Sequence, residues 1–221
     1  MQGMIRCGYL AGVLCACHSS QPATPDGQTL GDADRPGLFV TWATQPPSFP
    51  ETLETWLTLD SVALEFENFK VIGDAGPGDT RTTATGIDLN WATGHTPYPI
   101  SFDNAPPGLY SKVSFQLDGH TVEPSFDLRG QLLQLDGTWQ PYEIEDRDQF
   151  SLSLDIDRTL QPGGSVTIAM VLALHDALAN IDYGSLPVDD GRLTLGTDDP
   201  QMDAFLNKLD SAFSVDGGTP Q

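Results

Sequence analysis

The sequence predicts a mainly β domain, an antiparallel sandwich closed by one C-terminal helix. Three observations predict it. Short apolar segments alternating at period two recur between residues 38 and 174. Glycine and proline, 22 and 17 of the 221 residues, punctuate them with turn chemistry. The apolar period turns helical only near residue 200.

Taken in order, Leu38–Ala43 reads as the first strand. Trp56-Leu57-Thr58-Leu59 leads into Val62, Leu64 and Phe66 at strict period two, and Phe69 and Val71 resume after a slip of one residue. Such a slip predicts a β-bulge near Glu67-Asn68. The dense turn residues of 73–79 separate this strand from Ile87–Trp91 and a short strand over Tyr98–Phe102. Pro106-Pro107-Gly108 launches the clearest strand, with Tyr110, Val113, Phe115 and Leu117 facing the core. Phe126–Leu133 and Trp139–Ile144 form a hairpin over Leu135-Asp136-Gly137-Thr138, in which Asp-Gly is a favoured turn. Phe150–Ile156 alternates without fault, Pro162-Gly163-Gly164 turns the chain, and Val166–Leu174 reads as a more buried strand followed by a helical turn near Ala177–Asn180. Asp199 and Pro200 then open a helix over about 199–213, with Met202, Phe205, Leu206, Leu209 and Phe213 on one face. The strand pattern describes a sandwich of the immunoglobulin-like or transthyretin-like kind in a single domain over 37–215, with a loose tail at 216–221.

The N-terminus carries a different signal. Arg6 precedes an apolar run of about ten residues that closes on Leu14-Cys15-Ala16-Cys17. Aliphatic Leu14, small Ala16 and the cysteine resemble the lipobox of bacterial lipoprotein signal peptides. The resemblance implies that residues 1–16 are a signal peptide and that Cys17 becomes a lipid-bearing N-terminus. The apolar run is half the length of roughly 20 residues that a bilayer-spanning helix needs. Residues 17–36 are polar and rich in Ser, Gln, Pro and Asp, which predicts a flexible tether with a reach of about 25 Å. His18, where enteric inner-membrane lipoproteins carry Asp, implies the outer membrane. Behind this lipobox, the Leu59–Val71 strand, the Pro-Pro-Gly-Leu-Tyr-Ser-Lys-Val strand of 106–113 and the Phe150–Ile156 strand resemble bacterial lipoproteins with β-sandwich domains of unknown function. More remotely they are similar to metal-binding periplasmic proteins that accompany di-haem peroxidases, although no ligand motif transfers from those.

Composition narrows the partners. The formal charge is −21, and loss of residues 1–16 removes Arg6 but no acid, leaving −22. Only Lys70, Lys112 and Lys208 are lysines. Such a surface repels nucleic acid and favours cations. The three cysteines, Cys7, Cys15 and Cys17, all fall in or at the end of the signal, so the mature domain holds neither a disulfide nor a cysteine metal site.

Catalytic constellations are missing from the sequence. No Gly-x-Ser-x-Gly, zinc-helix or phosphate-loop motif occurs. His18, His95 and His120 read as tether and loop histidines, while His175 and Asp176, taken as a strand pair, point to opposite faces. Calcium takes oxygen ligands from loops, and three acidic loops offer them: Asp74/Asp79, Glu143/Glu145/Asp146/Asp148, and Asp189/Asp190 with Asp198/Asp199. Glu145, Asp146 and Asp148 are the best candidate ligands, and Asp198 and Asp199 read as helix caps. Of Trp42, Trp56, Trp91 and Trp139, at least two should plug the core; the others invite a sugar-stacking role. The reading is of a non-enzymatic, lipid-anchored envelope protein without a required cofactor, structural in role or bound to a protein or glycan partner. The alternative is a binding module for Ca²⁺, copper or carbohydrate.

Overall fold

The computed structural model describes residues 35–45, 47–73, 80–119 and 124–216. The expected signal peptide (residues 1–16), Cys17, nearly all of the expected tether, the Asp74/Asp79 loop, His120 and residues 217–221 lie outside them. In chain order the strands begin with β1 (Gly37–Thr44), β2 (Glu51–Glu54), β3 (Leu57–Gly73), β4 (Thr83–Ala84), β5 (Ile87–Ala92) and β6 (Ile100–Phe102). Then come β7 (Gly108–Leu117), β8 (Phe126–Leu133), β9 (Trp139–Asp146), β10 (Phe150–Leu160) and β11 (Ser165–Leu172). The last part holds α1 (His175–Ala179), a 3-10 turn (Tyr183–Ser185), β12 (Val188–Asp189), β13 (Arg192–Leu195), α2 (Met202–Ala212) and β14 (Phe213–Val215).

The chain is mainly β, in two mixed sheets that pack as a sandwich. The smaller has the order β14-β11-β1-β6; the larger is built around β3. β3 fills both of its edges. β8 pairs with its residues 57–64 and β7 with 66–73, while β2, β5 and β4 pair with 57–59, 61–66 and 69–70. Because Phe66 faces Ile87 of β5 and Leu117 of β7 at once, β7 must lie on the edge opposite β5, which is the edge β8 uses. Glu65 marks the junction. Its N–H donates to Ser125 O at 3.0 Å and its C=O accepts from the Asp118 N–H at 3.2 Å, so β7 and β8 run end to end. The sheet forks there, into β7-β10 and β8-β9-β13-β12.

The expected bulge is present. Register shifts between Glu67 and Lys70, and Asn68 takes φ 52°, a left-handed conformation that Asn tolerates better than branched residues. Its Nδ2 donates to Gln116 Oε1 at 2.7 Å. With that residue looped out, Val62, Leu64, Phe66, Phe69 and Val71 all stay on the buried face of one strand. The expected hairpin is present too. Gln134 N–H donates to Thr138 O, Gly137 takes φ 84°, and Asp136 Oδ1 accepts from the Thr138 N–H and hydroxyl.

Each arm of the fork has its own cover. Over β3 and β7 lies the small sheet: Trp42 of β1 meets Phe66 and Phe69 edge-on at 5.6 and 5.5 Å, and Phe213 of β14 meets Phe115 at 5.3 Å. Phe66 and Phe115 stack at 4.4 Å. Aromatic pairs of this kind add about 0.5–1.5 kcal/mol each beyond burial. Over β8 and β9 lies the segment after β11. Phe205 of α2 meets Phe126 at 5.7 Å, and Tyr183 meets Tyr142 at 5.3 Å. This excursion leaves and rejoins the small sheet through a narrow neck, where the Ala173 N–H donates to Ala212 O at 2.9 Å and β14 pairs with β11.

Two pairings depart from the antiparallel expectation: β1 with β11, and β13 with β9, are parallel. Parallel neighbours need a long crossover. Here β1 and β11 are separated by most of the domain and β9 and β13 by the whole excursion, so no local turn signal could announce either. The C-terminal helix forms over Met202–Ala212, starting three residues after Asp199, and Phe213, expected on its face, opens β14 instead. The expected capping by Asp198 and Asp199 is corrected: the N-cap is Gln201, which makes no side-chain cap bond, and Asp199 Oδ1 accepts the Gln201 N–H at 2.8 Å in the turn before the helix. Among the described residues no helix is long and apolar enough to cross a membrane.

Gly130 of β8 is required by close approach. A Cβ there would lie 2.5 Å from Tyr142 Oη and collide with the Thr58 carbonyl oxygen. Gly130→Ala is therefore expected to cost about 3 kcal/mol, a fall in Tm of roughly 6–12 °C. Urea unfolding of the variant measures it; a loss below about 0.5 kcal/mol would show that the tyrosine and β3 can shift aside.

Candidate functional site

Register builds the most unusual locality. Glu51 of β2 faces Leu59, Leu59 faces Gly130, Gly130 faces Tyr142, and Tyr142 faces Leu193. One inward row thus crosses the sheet from its β2 edge. Tyr142 lies over Gly130 and donates its hydroxyl to Thr58 O at 2.7 Å. Tyr183 packs above it, and Trp56, at the β2–β3 turn, meets Tyr183 edge-on at 6.4 Å. Glu51, at 3% exposure, shares this interior with residues that are otherwise apolar or phenolic.

The polar atoms here are poorly satisfied. Three buried side-chain polar atoms lack a hydrogen-bond partner among the described residues: Trp42 Nε1, Glu51 Oε1 and Tyr183 Oη. Two of the three flank Tyr142, whose phenol both residues influence electrostatically. Tyr183 Oη lies beside Tyr142 without a well-formed bond, while the Tyr142 hydroxyl donates to Thr58. Burial raises both phenols above their ordinary range; at Tyr142 the proximity of Tyr183, Asp60 and Glu51 adds to it. Burial also pushes the Glu51 carboxyl up to about 7, against a smaller opposing pull from His175.

At the rim, His175 opens α1 and joins two elements. Its Nε2 lies 2.9 Å from Glu54 Oε1 of β2, and its Nδ1 lies 3.0 Å from Asp176 Oδ1. The hydrogen bond to Asp176 and then the one to Glu54 raise its pKa, against a smaller lowering by burial. The strand reading of His175-Asp176 is corrected here. The strand ends at Leu172 and the pair falls on a helical turn, where adjacent side chains can meet.

The predicted calcium ligands are placed differently from one another. Asp146, 1% exposed, ends β9 and turns inward. Its Oδ1 accepts from the Arg147 N–H at 2.7 Å, the Asp148 N–H at 3.1 Å and Thr197 Oγ1 at 2.6 Å. Its backbone carbonyl accepts from buried Ser125. Asp146 thus ties the β9–β10 turn to the loop before α2. Glu145 alternates to the outer face of β9, opposite Asp127, while Asp148 is exposed in the turn. Among the described residues no three His, Cys, Asp or Glu side chains are grouped to hold a metal ion. In the third acidic loop, Asp190 at φ 44° and Gly191 at φ 79° make the β12–β13 turn. His95 Nδ1 donates to Asn90 O at 2.8 Å across a small turn.

The tryptophans divide as the sequence suggests. Trp91 is buried and Trp42 packs between the sheets, while Trp56 and Trp139 keep 36% and 45% exposure. Trp139 alternates to the outer face beside Leu133, whereas Trp56 packs against Tyr183 on the covered side. Comparison with protein-family models, with curated proteins and with solved structures gave no match.

Sequence reasoning missed Glu51. A four-residue strand carries too few positions for a period, and nothing local distinguishes Glu51 from the exposed acids around it. Its charge state has a sign that can be measured. The folded pKa lies above the ordinary 4.5, so the native state holds the extra proton between about pH 4.5 and 7. Stability from this group is full below pH 4.5 and falls by about 3 kcal/mol as pH rises through 7. Glu51→Gln, which cannot ionise, is expected to flatten that part of the profile and to be more stable than the natural protein at pH 8. Denaturant titrations from pH 4.5 to 8 check this; equal slopes in both proteins would remove Glu51 as the cause.

Proposed function

We propose that the chain is a non-enzymatic lipoprotein of the cell envelope, held on a membrane by acyl chains at Cys17. The observation that carries the reading is Leu14-Cys15-Ala16-Cys17 behind a short apolar run, followed by a polar stalk. A domain presented in this way serves a structural role or binds a partner at the envelope, with the outer membrane favoured by His18.

The side-chain chemistry supports a role without catalysis. Among the described residues, both ring nitrogens of His175 face carboxylates, Glu54 and Asp176. The best acidic cluster spends its inward member, Asp146, on backbone and Thr197 donors. Most strand pairings are antiparallel, which supports placing the domain as a variant of the immunoglobulin-like or transthyretin-like sandwich.

Mass spectrometry of the protein from a lipoprotein-processing bacterial host tests the anchor. The expected mass is that of residues 17–221 plus acyl groups on Cys17, and Cys17→Ser should accumulate as the unacylated longer chain. A soluble cytosolic product that retains Met1 and a free Cys17 thiol would refute the reading.

A further inference from the structure

We propose that His175, seated between Glu54 and Asp176, is an acid-closed latch that pins α1 to β2 and keeps the cover over Tyr142 shut. The latch bears on the domain itself and does not depend on the lipid anchor.

Three observations carry it. First, both ring nitrogens of His175 face carboxylate oxygens, at 2.9 and 3.0 Å. Only the imidazolium donates from both; the neutral ring leaves one carboxylate facing a lone pair. Second, α1 cannot hold its place unaided. It has five residues and no side-chain cap, far below the length at which a helix is stable in water. Buried Ala177 and Leu178 and the His175 bridge to a residue 121 positions away fix it instead. Third, the cover that follows α1 lies over an under-satisfied interior. Tyr183 closes over Tyr142, with Glu51 Oε1 and Tyr183 Oη unpartnered beneath.

Carboxylates outnumber cations around the junction. On β2 stand Glu54 and, buried, Glu51; on α1, Asp176; the phenols of Tyr142 and Tyr183 complete the interior side, and Asp60 of β3, bonded to exposed Gln131, acts on Tyr142 from the other face. The charged groups of α2, which packs on α1, are Asp203, Lys208 and Asp210, all at exposed positions. In acid His175 is cationic and Glu51 neutral: the bridge is made and the interior bears no charge. Toward alkaline pH His175 becomes neutral and Glu51 ionises, so the bridge weakens as water is drawn to the buried carboxylate. The raised pKa of His175 places its step above the ordinary 6.5, with stability present below and lost above.

Hydrogen exchange of the full domain at pH 5.5 and 8.5, corrected for intrinsic exchange chemistry, tests the latch. The amides of Leu178, Ser185 and Leu186, bonded within the cover, are expected to lose at least tenfold protection at pH 8.5. That of Gln134, in the β8–β9 hairpin, should hold. His175→Gln should be under-protected in the cover already at pH 5.5, with the remaining pH response reduced. His175→Arg, a permanent cation between the same carboxylates, should retain protection at pH 8.5, which a merely space-filling role would not produce. Equal wild-type protection at both pH values, or an undiminished pH response in His175→Gln or His175→Arg, would overturn the proposal.

Discussion

The hydrogen-bonding capacity of one strand organises this molecule. β3 is 17 residues long, and most of it pairs on both edges. Backbone donors and acceptors buried in a core must be satisfied. With Leu57, Leu59, Val62, Phe66 and Phe69 fully buried, β3 has no choice but to recruit strands on both sides. One partner cannot follow its twist over such a length, so β7 and β8 share an edge and meet at Glu65. The fork in the sheet and the two separate covers follow from that junction.

How much of this the sequence discloses depends on distance along the chain. Alternation in 62–71 discloses the long strand, its inward face and the bulge, because all three are local consequences of the side-chain period. Asp136-Gly137 discloses the hairpin for the same reason. The parallel contacts of β1 with β11 and of β13 with β9 are set by crossovers far longer than any periodic window, and they stay silent. The candidate site divides in the same way. Tyr142 shares its parity with Ile144 and reads as inward. Glu51 and Tyr183 do not, because a short edge strand and a 3-10 turn have no period to read. The acidic cluster at 145–148 is legible as acidic, yet composition alone cannot tell that Asp146 turns inward to accept three hydrogen bonds while Glu145 turns out.

Charge placement follows the same economy of satisfaction. On the outer face of β8 and β9, Arg129 bridges Asp127 and Glu143 at 2.7 and 2.6 Å, and Arg192 reaches Glu143 at 3.2 Å. With ten basic residues against 31 acids, cations are scarce, and two of them are spent on this one patch. Elsewhere single pairs occur, such as Arg35 with Asp103 at 2.9 Å and Lys112 with Asp155 at 3.9 Å. Exposed ion pairs contribute little, about 0–1 kcal/mol, so this face is matched in charge more than it is stabilised by it.

Glu51 is the exception, and its position explains why it survives as one. Moving a carboxylate into an apolar interior without a donor is costly, and the group responds by keeping its proton to higher pH. Both flanks of the row are already committed. Tyr142 gives its hydroxyl hydrogen to Thr58, a bond made possible by the bare Cα of Gly130, and Tyr183 is held by ring packing against Trp56 and Tyr142. The same close approach lets Tyr142 brace β3 against β8, while Glu51 Oε1, at the β2 end of the row, has no partner among the described residues. The hub is thus held by a hydrogen bond that a bare Cα permits, and the β2 edge by a carboxyl that burial keeps protonated to higher pH.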